Sequence, residues 1–363
     1  MTQTALLVAG GTGGHLFPAL ALREVLIDRG WSVHIATDPR VGELIEGVPP
    51  ADTHRVPSAT IAGGSPLTMA RSIATLLDGV LKARKLLRQV APQIVVGFGG
   101  YPTVPPIVAA RLAGIPIVVH EQNAVVGRAN RLLLRFGAVL ATGFANPKWS
   151  AGARRTVHVG NPVRRAVVDI ARPYAPSGPG EPFRLFVFGG SQGARVFSGL
   201  IPAALAALPE DKRRRLLIAQ QARPEDAAAT RENFRGIGVE AVVAPFFADI
   251  GERLAGAHLV VCRAGASTVA ELAAAGRPAI LVPYPYALDH DQAENARLLE
   301  ETGGGWLVPE KDLTPAMLAK RVAALMDSPK KLARAAEAAR AQGRPDAAAR
   351  LAELVERVAR PAA

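Results

Sequence analysis

The chain has 363 residues, 49% of them hydrophobic and 20% charged, and a formal net charge of +12. This composition excludes a disordered or fibrous protein, and the length predicts two domains, each able to bury its own core. The charge favours an anionic partner: a phosphorylated substrate, an anionic membrane surface or a nucleic acid. Nucleic acid is the least favoured, because only 5% of the residues are aromatic and no zinc-finger or RNA-recognition pattern is present.

The first apolar run ends in glycines after about five residues, far short of the ~20 that a spanning helix needs, and no basic leader precedes it. We therefore expect neither secretion nor a membrane span. The single cysteine, Cys262, cannot form an internal disulfide, which fits a reducing cytosol. We expect it to be a small buried residue of a strand.

Apolar runs rich in β-branched residues alternate with longer helical patterns such as Ala19 to Arg29. This alternation predicts parallel sheets covered by helices on both faces. The runs are Leu6 to Ala9, Ser32 to Ala36, Ile94 to Gly97, Ile117 to His120 and Val139 to Thr142, then Leu185 to Phe188, Leu216 to Gln220, Val239 to Val243, Leu259 to Cys262 and Ala279 to Val282. The sequence thus predicts an α/β protein with two doubly wound sheets.

Each half opens with a strand, a glycine-rich turn and a helix. The turns are Gly10-Gly11-Thr12-Gly13-Gly14-His15 and Gly189-Gly190-Ser191-Gln192-Gly193. Such turns bring backbone N–H groups and a helix N-terminus to an anionic ligand, so we expect two nucleotide-fold domains facing a cleft. Leu16 stands where a dinucleotide fingerprint needs glycine, and neither turn has the Lys-Ser/Thr ending of a P-loop.

The domain boundary is predicted near Gly160, before the Pro- and Gly-rich stretch 173–180. The domains are then 1–160 and 161–340. The remaining segment, 341–363, contains a helix from Pro345 to Val358 that no strand follows. We expect this helix to pack back on one of the domains, with the N-terminal domain as the first candidate.

Several polar residues follow predicted strands, where parallel sheets bind ligands. His15 begins a helix whose dipole disfavours its protonated form, which suits a general base. Gly99-Gly100-Tyr101 and His120-Glu121-Gln122-Asn123 follow two further strands, although about half of these residues could be helix caps or turn formers. Asp289 and Asp291 could form a metal pair, but no other ligands accompany them at suitable spacing, so we predict no metal site.

Six motifs in order closely resemble the MurG family of bacterial glycosyltransferases. They are Gly10 to His15, Gly99-Gly100-Tyr101, His120 to Asn123, Gly160-Asn161-Pro162-Val163-Arg164, Gly189 to Ala194 and Arg263 to Glu271. The resemblance implies a GT-B fold, two doubly wound domains facing across a cleft. It also implies inverting transfer of N-acetylglucosamine from UDP-N-acetylglucosamine to the 4-hydroxyl of the muramyl sugar of lipid I, giving lipid II for peptidoglycan, without a cofactor or an obligatory metal.

The resemblance also implies residue roles. His15 is the first candidate for the base and Glu121 the second. The residues implied to bind UDP-N-acetylglucosamine are Thr12, Gly13, Gly14, Asn123, Arg164, Ser191, Phe247 through its backbone, Ala266, Ser267, Thr268, Val269, Ala270, Glu271 and Gln292. Gly99, Gly100 and Tyr101 are implied to bind the acceptor. Asp291 and Phe247 depart from the residues common at their positions.

Met69, Ile73, Leu76, Leu77 and Val80 share one helical face, and basic residues surround or follow it: Arg71, Lys82, Arg84, Lys85 and Arg88. The face is either part of the core or lies on an anionic bilayer. A lipid-linked acceptor favours a peripheral position on the cytoplasmic face of the membrane, where other cell-wall synthesis proteins could be partners. Two other functions stay open: a GT-B transferase for a different acceptor, and a UDP-sugar-binding protein without turnover.

Overall fold

The computed structural model describes residues 2–10, 12–38, 48–59, 65–190, 193–287 and 290–360. The chain divides into two compact units. The first unit is Met1–Val163 with Asp346–Ala363, and the second unit is Arg164–Pro345. The sequence predicted the boundary near Gly160, and the structure divides the chain after Val163.

The first unit contains a sheet of seven parallel strands in the order β3-β2-β1-β4-β5-β6-β7. The strands are β1 Thr4–Val8, β2 Ser32–Thr37, β3 Thr53–Arg55, β4 Ile94–Gly97, β5 Ile117–Glu121, β6 Val139–Thr142 and β7 Arg155–His158. The helices between them are α1 Gly13–Asp28, α2 Pro66–Val90, α3 Val104–Leu112 and α4 Arg128–Leu134. The central strands are buried on both faces, which explains their unbroken apolar sequences.

The second unit contains six parallel strands in the order β10-β9-β8-β11-β12-β13. The strands are β8 Phe183–Phe188, β9 Leu216–Gln221, β10 Glu240–Ala244, β11 Leu259–Cys262, β12 Ala279–Leu281 and β13 Gly305–Leu307. The helices are α5 Arg165–Val168, α6 Arg195–Ala206, α7 Glu210–Arg213, α8 Pro224–Gly236, α9 Ile250–Gly256, α10 Ala266–Ala275, α11 Asp291–Glu301, α12 Pro315–Met326 and α13 Pro329–Gln342. Cys262 is buried in β11, as predicted.

The last helix, α14 Ala347–Ala359, returns to the first unit. Leu351, Leu354 and Val355 are buried with Leu16 and Leu22 of α1 in one hydrophobic cluster. At its edge, Arg29 Nη1 donates to Glu356 Oε2 at 3.1 Å. The core of the first unit is therefore built from both ends of the chain.

In each sheet the chain first adds strands on one side and then continues on the other side of its first strand. This switch lies between β1 and β4 in the first sheet and between β8 and β11 in the second. At such a point the connections leave toward opposite faces of the sheet and open a crevice at the carboxyl ends of the strands. The glycine-rich turns follow β1 and β8, so both lie at these positions. Among the helices of the described ranges, none is both long and apolar enough to cross a membrane.

Candidate active site

In the first unit, the turn after β1 brings His15 against the turn after β4. Thr12 precedes α1, and its carbonyl accepts the backbone N–H of His15 at 3.1 Å. The ring of His15 lies among three glycines. A β-carbon on Gly10, Gly99 or Gly100 would come within 3.3–3.5 Å of the ring atoms. The glycines that follow the two strands therefore make a slot that an imidazole fits.

The other residues predicted for this site from the sequence lie in the same two turns, after β1 and after β4. Gly13 and Gly14 lie with His15 in the first turn of α1. Gly99 and Gly100 have φ of +90° and +76°, which favours glycine, and Tyr101 begins a 3₁₀ turn that ends at Thr103. Thr103 Oγ1 donates to the Gly99 carbonyl at 2.6 Å and fixes the turn.

Gln122 joins this slot to the end of β5. Its side chain is buried, and its Oε1 lies 3.3 Å from Nδ1 of His15. Its Nε2 donates to the carbonyl of Phe98 at 2.9 Å. Thus the turns after β1, β4 and β5 meet at His15.

Glu121, the second candidate for the base, is buried with both carboxylate oxygens engaged. Oε1 accepts the backbone N–H and the side-chain amide of Asn123 at 3.0 and 3.3 Å. Oε2 accepts the backbone N–H of Gly127 at 2.9 Å and Nδ2 of Asn130 at 2.8 Å. Burial raises the pKa of Glu121, and these four donors oppose that rise. The carboxylate is placed to organise the loop from residue 121 to residue 130.

The neighbouring His120 is buried and neutral. Its Nε2 donates to the carbonyl of Gly160 at 2.9 Å, and burial lowers the pKa of the ring to about 4. Nδ2 of Asn161 donates to the backbone carbonyl of Gln122 at 2.9 Å. These two hydrogen bonds connect Gly160 and Asn161, near the end of segment 1–163, to the carboxyl end of β5.

In the second unit, α10 begins at Ala266 beside the carboxyl end of β11 and carries the predicted run from Ala266 to Glu271. The guanidinium of Arg164 binds Glu271 through two parallel bonds, Nε to Oε1 at 2.7 Å and Nη2 to Oε2 at 2.9 Å. Glu271 is buried, and the bidentate geometry fixes the orientation of both groups. Arg164 and Glu271 thus act as one pair against the first turns of α10.

Two further residues predicted to bind UDP-N-acetylglucosamine belong to the second unit: Phe247 follows β10, and Gln292 lies at the start of α11. Phe247 is buried, its ring packs edge-on against Phe186, and the guanidinium of Arg253 lies 4.5 Å from its centre. Oε1 of Gln292 accepts the backbone N–H groups of Ala264 at 3.3 Å and Tyr284 at 3.0 Å. Because Oε1 is engaged, Nε2 is the group that Gln292 can offer to a ligand.

Not every predicted residue can be placed. Ser191 and Gly11, together with Gln192 and Asp289, lie outside the described residues. Within the described ranges, no cluster of three or more His, Cys, Asp or Glu side chains could hold a metal ion.

The sequence did not single out Gln122, Asn130 or Asn161 as individual site residues. Each is a buried polar residue; Gln122 and Asn161 bond to partners 107 and 39 positions away, and Asn130 bonds to Glu121 nine positions away. Such partners are visible only once the strands are assembled. The one signal in the sequence was the run of polar residues after a buried strand, 120–123.

Comparison with known proteins covers nearly the whole chain. Residues 5–141 match the glycosyltransferase family 28 N-terminal domain, and residues 184–351 match the glycosyltransferase family 28 C-terminal domain. A protein from Rhizobium rhizogenes is 52% identical over 355 residues, which is 98% of this chain and 95% of the relative. It is named UDP-N-acetylglucosamine--N-acetylmuramyl-(pentapeptide) pyrophosphoryl-undecaprenol N-acetylglucosamine transferase. A Brucella abortus protein of the same name is also 52% identical, over 98% of this chain and 94% of the relative.

Solved structures agree with this result. The crystal structure of Acinetobacter baumannii MurG matches with a TM-score of 0.76 at 30% identity, over 98% of this chain and 99% of that chain. The glycosyltransferase of kitacinnamycin matches with a TM-score of 0.68 at 18% identity, which shows the fold alone. The two parallel-sheet units are those of the GT-B fold, as predicted. This chain belongs to glycosyltransferase family 28 and, within it, to the MurG family of N-acetylglucosaminyltransferases.

Proposed function

We propose that this enzyme transfers N-acetylglucosamine from UDP-N-acetylglucosamine to the 4-hydroxyl of the muramyl sugar of undecaprenyl-pyrophosphoryl-MurNAc-pentapeptide, with inversion at the anomeric carbon. The observation that carries the choice of substrates is the 52% identity, over 98% of the chain, to enzymes whose name states both substrates. The local geometry supports the reaction type, because each unit places a helix N-terminus and polar side chains at the switch point of its sheet.

The donor binds to the second unit. The N–H groups in the first turn of α10 face the diphosphate, and their partial positive charge opposes the charge that develops on departing UDP. The carboxylate of Glu271 accepts hydrogen bonds from the ribose hydroxyls. Arg164 holds this carboxylate in place and adds positive charge near the donor. The backbone at Phe247 binds uracil, Nε2 of Gln292 donates to the sugar, and Ser191 contacts the diphosphate.

The acceptor binds to the first unit. Its diphosphate lies on the glycine turns after β1 and β4, with Gly99, Gly100 and Tyr101 as the acceptor-binding residues. Thr12, Gly13, Gly14 and Asn123 also reach the donor sugar. His15 removes the proton of the attacking hydroxyl as the new C–O bond forms and the bond to UDP breaks. Because Glu121 accepts four hydrogen bonds, we assign it to the loop and His15 to the base.

The enzyme binds peripherally to the cytoplasmic face of the membrane through α2. Five large apolar side chains on this helix are exposed, between 44% and 66% of their surface: Leu67, Met69, Ile73, Leu77 and Leu81. The basic residues Arg71, Lys82, Arg84, Lys85 and Arg88 are exposed on the same helix. An exposed apolar face with basic neighbours suits an anionic bilayer, where the lipid-linked acceptor resides.

Transfer of labelled N-acetylglucosamine from UDP to a soluble lipid I analogue, measured in EDTA, tests the proposal. We expect turnover by the wild type and a loss on the order of 10²–10⁴-fold in His15→Ala. His158→Ala, which removes an exposed histidine on β7, is the matched control and should retain activity.

The alternatives give different results. Transfer to diacylglycerol but not to the lipid I analogue would identify a GT-B transferase for another acceptor. UDP-sugar binding without product from either acceptor would identify a binding protein and contradict the proposal.

A further inference from the structure

The orientation of the Gln122 amide is fixed by the backbone around it. The side chain is only 2% exposed, and its Nε2 lies 2.9 Å from the carbonyl of Phe98 and 3.4 Å from that of His120. Both neighbours are acceptors only, so an NH₂ group must face them. The reversed amide would place an oxygen against two carbonyl oxygens in a buried site, at the cost of lost hydrogen bonds. The amide therefore presents Oε1 to His15.

This orientation decides which nitrogen of His15 carries the proton. Oε1 of Gln122 is an acceptor, and it lies 3.3 Å from Nδ1 of the ring. A neutral imidazole has one N–H and one lone pair, so a hydrogen bond to Oε1 requires the proton on Nδ1. The lone pair is then on Nε2.

Glycine backbone borders the ring of His15, and the bond to Gln122 sets which edge of the ring faces the amide. A β-carbon on Gly99 would lie 3.3 Å from Cε1 and 3.4 Å from Nδ1, and one on Gly10 would lie 3.4 Å from Cδ2. These distances are at or just inside ordinary van der Waals contact, so the flat ring packs directly against the glycine backbone. Rotation of the ring by half a turn would exchange Nδ1 for Cδ2 and lose the bond to Gln122.

We propose that Gln122 is a positioning residue that holds His15 in its Nδ1–H tautomer and so makes Nε2 the proton acceptor of the transfer reaction. The catalytic part of this inference rests on the proposed function of His15 as base. In the step, Nε2 takes the proton of the acceptor hydroxyl while Nδ1 keeps its own. The hydroxyl oxygen bonds to the anomeric carbon, and the electron pair of the breaking bond leaves with UDP.

The tautomer can be measured without any substrate. Nitrogen-15 NMR of the full chain labelled at histidine distinguishes a protonated from an unprotonated ring nitrogen, and loss of one signal set in His15→Ala assigns His15 among the seven histidines. We expect the Nδ1–H form to predominate in neutral wild-type protein. A predominant Nε2–H form would overturn the proposal.

Gln122→Met removes the acceptor and nearly keeps the volume. We expect a mixture of tautomers at His15 and a fall in kcat of about 10- to 100-fold, the range for losing a hydrogen bond that orients a metal-bound histidine. KM for UDP-N-acetylglucosamine should stay within about twofold, because Gln122 belongs to the first unit and the donor residues of the proposal lie mainly in the second.

A matched control exists in the second unit. Gln220 is fully buried on β9 and its Nε2 donates to the carbonyl of Phe197 at 3.0 Å, while its Oε1 has no partner among the described residues. Gln220→Met removes an equally buried amide without touching a histidine, and it should leave both the His15 tautomer and kcat unchanged. If Gln122→Met and Gln220→Met reduce kcat alike with the tautomer unchanged, Gln122 is only a packing residue and the proposal fails.

The two proposals fail in different ways. If Gln122→Met changes the tautomer but kcat does not fall, Gln122 still sets the tautomer and the role of His15 as base is wrong. If Gln122→Met does not fold, the wild-type tautomer alone still decides the structural part.

Discussion

At the scale of single residues, the last two side chains of β5, His120 and Glu121, are both buried but have opposite kinds of hydrogen-bond partner. Glu121 meets four N–H donors and His120 meets one carbonyl, so the first side chain is held as an acceptor and the second as a neutral donor. We therefore infer a structural role for both groups in this environment. His15, by contrast, is partly exposed in the first turn of α1.

Glu121→Gln tests this assignment, because it removes a negative charge with little change in shape. The new NH₂ group must face two N–H donors at whichever oxygen it replaces, and it leaves buried donors unsatisfied. We expect the free energy of unfolding to fall by on the order of 2 kcal/mol, measured by urea titration. Glu240→Gln, at an exposed carboxylate, should change it by less than about 0.5 kcal/mol. Wild-type stability combined with loss of turnover would instead make Glu121 the base.

His120 predicts a pH dependence of stability. Burial lowers its pKa from 6.5 to about 4, so the unfolded chain binds a proton between these values that the folded chain does not. Stability from this group is therefore complete above pH 6.5 and is lost as the pH falls toward 4, by at most about 3 kcal/mol. His120→Gln can keep a donor for the Gly160 carbonyl without titrating. The wild-type advantage in thermal midpoint should shrink between pH 7 and pH 5, and parallel pH curves would contradict this cause.

At the scale of elements, the sequence predicts strands well where they are buried. Each of the ten predicted runs overlaps a strand, because central parallel strands are apolar on both faces. β3, β7 and β13 were missed. β3 and β13 have three residues each, and β7 is almost fully exposed at an edge. Short edge strands form because the adjacent strand offers backbone hydrogen bonds. Their own sequences carry no apolar pattern from which a strand could be predicted.

The apolar face predicted on α2 from residue spacing agrees only in part with the observed exposure of its side chains. Met69, Ile73 and Leu77 are exposed, whereas Leu76 and Val80 are half-buried and Val80 packs against the core. Leu81, outside the predicted set, is 66% exposed, more than any other large hydrophobic side chain in the described part of the helix. Helical spacing identifies which residues share a face but does not locate the border between core and solvent.

The exposure of these side chains decides which residues to replace when testing α2 as the membrane contact. Replacing Leu77 and Leu81 together with glutamine removes apolar area without disturbing the core, and each buried CH₂ contributes about 0.8 kcal/mol to membrane binding. We expect sedimentation with anionic vesicles to fall at least tenfold and affinity for UDP-N-acetylglucosamine to stay unchanged. Val242→Gln, at an exposed apolar residue of the second unit, is the control. Unchanged sedimentation of the double variant would exclude α2 as the membrane contact.

At the scale of the whole molecule, the alternation of apolar runs with helical patterns and the repeated glycine turn were together enough to predict two parallel sheets. The contacts inside each site were not predictable in this way. The bonds from Gln122 to His15, from Asn161 to Gln122 and from Arg164 to Glu271 join residues 39 to 107 positions apart. A motif shows that polar groups gather at a strand end, and the pairing among them follows only from the strand order.

The division of the molecule gives the last prediction, because α14 belongs to the first unit although it follows the second in the chain. Leu351 is fully buried in α14, and truncating a buried leucine costs about 2–5 kcal/mol. Leu351→Ala should therefore increase hydrogen exchange of the β1 amides, at the centre of the first sheet, and leave those of β8 unchanged. Leu325→Ala, in α12 of the second unit, should do the reverse. If both variants increase exchange in both strands alike, the two units unfold together, and α14 stabilises the whole chain and not the first unit alone.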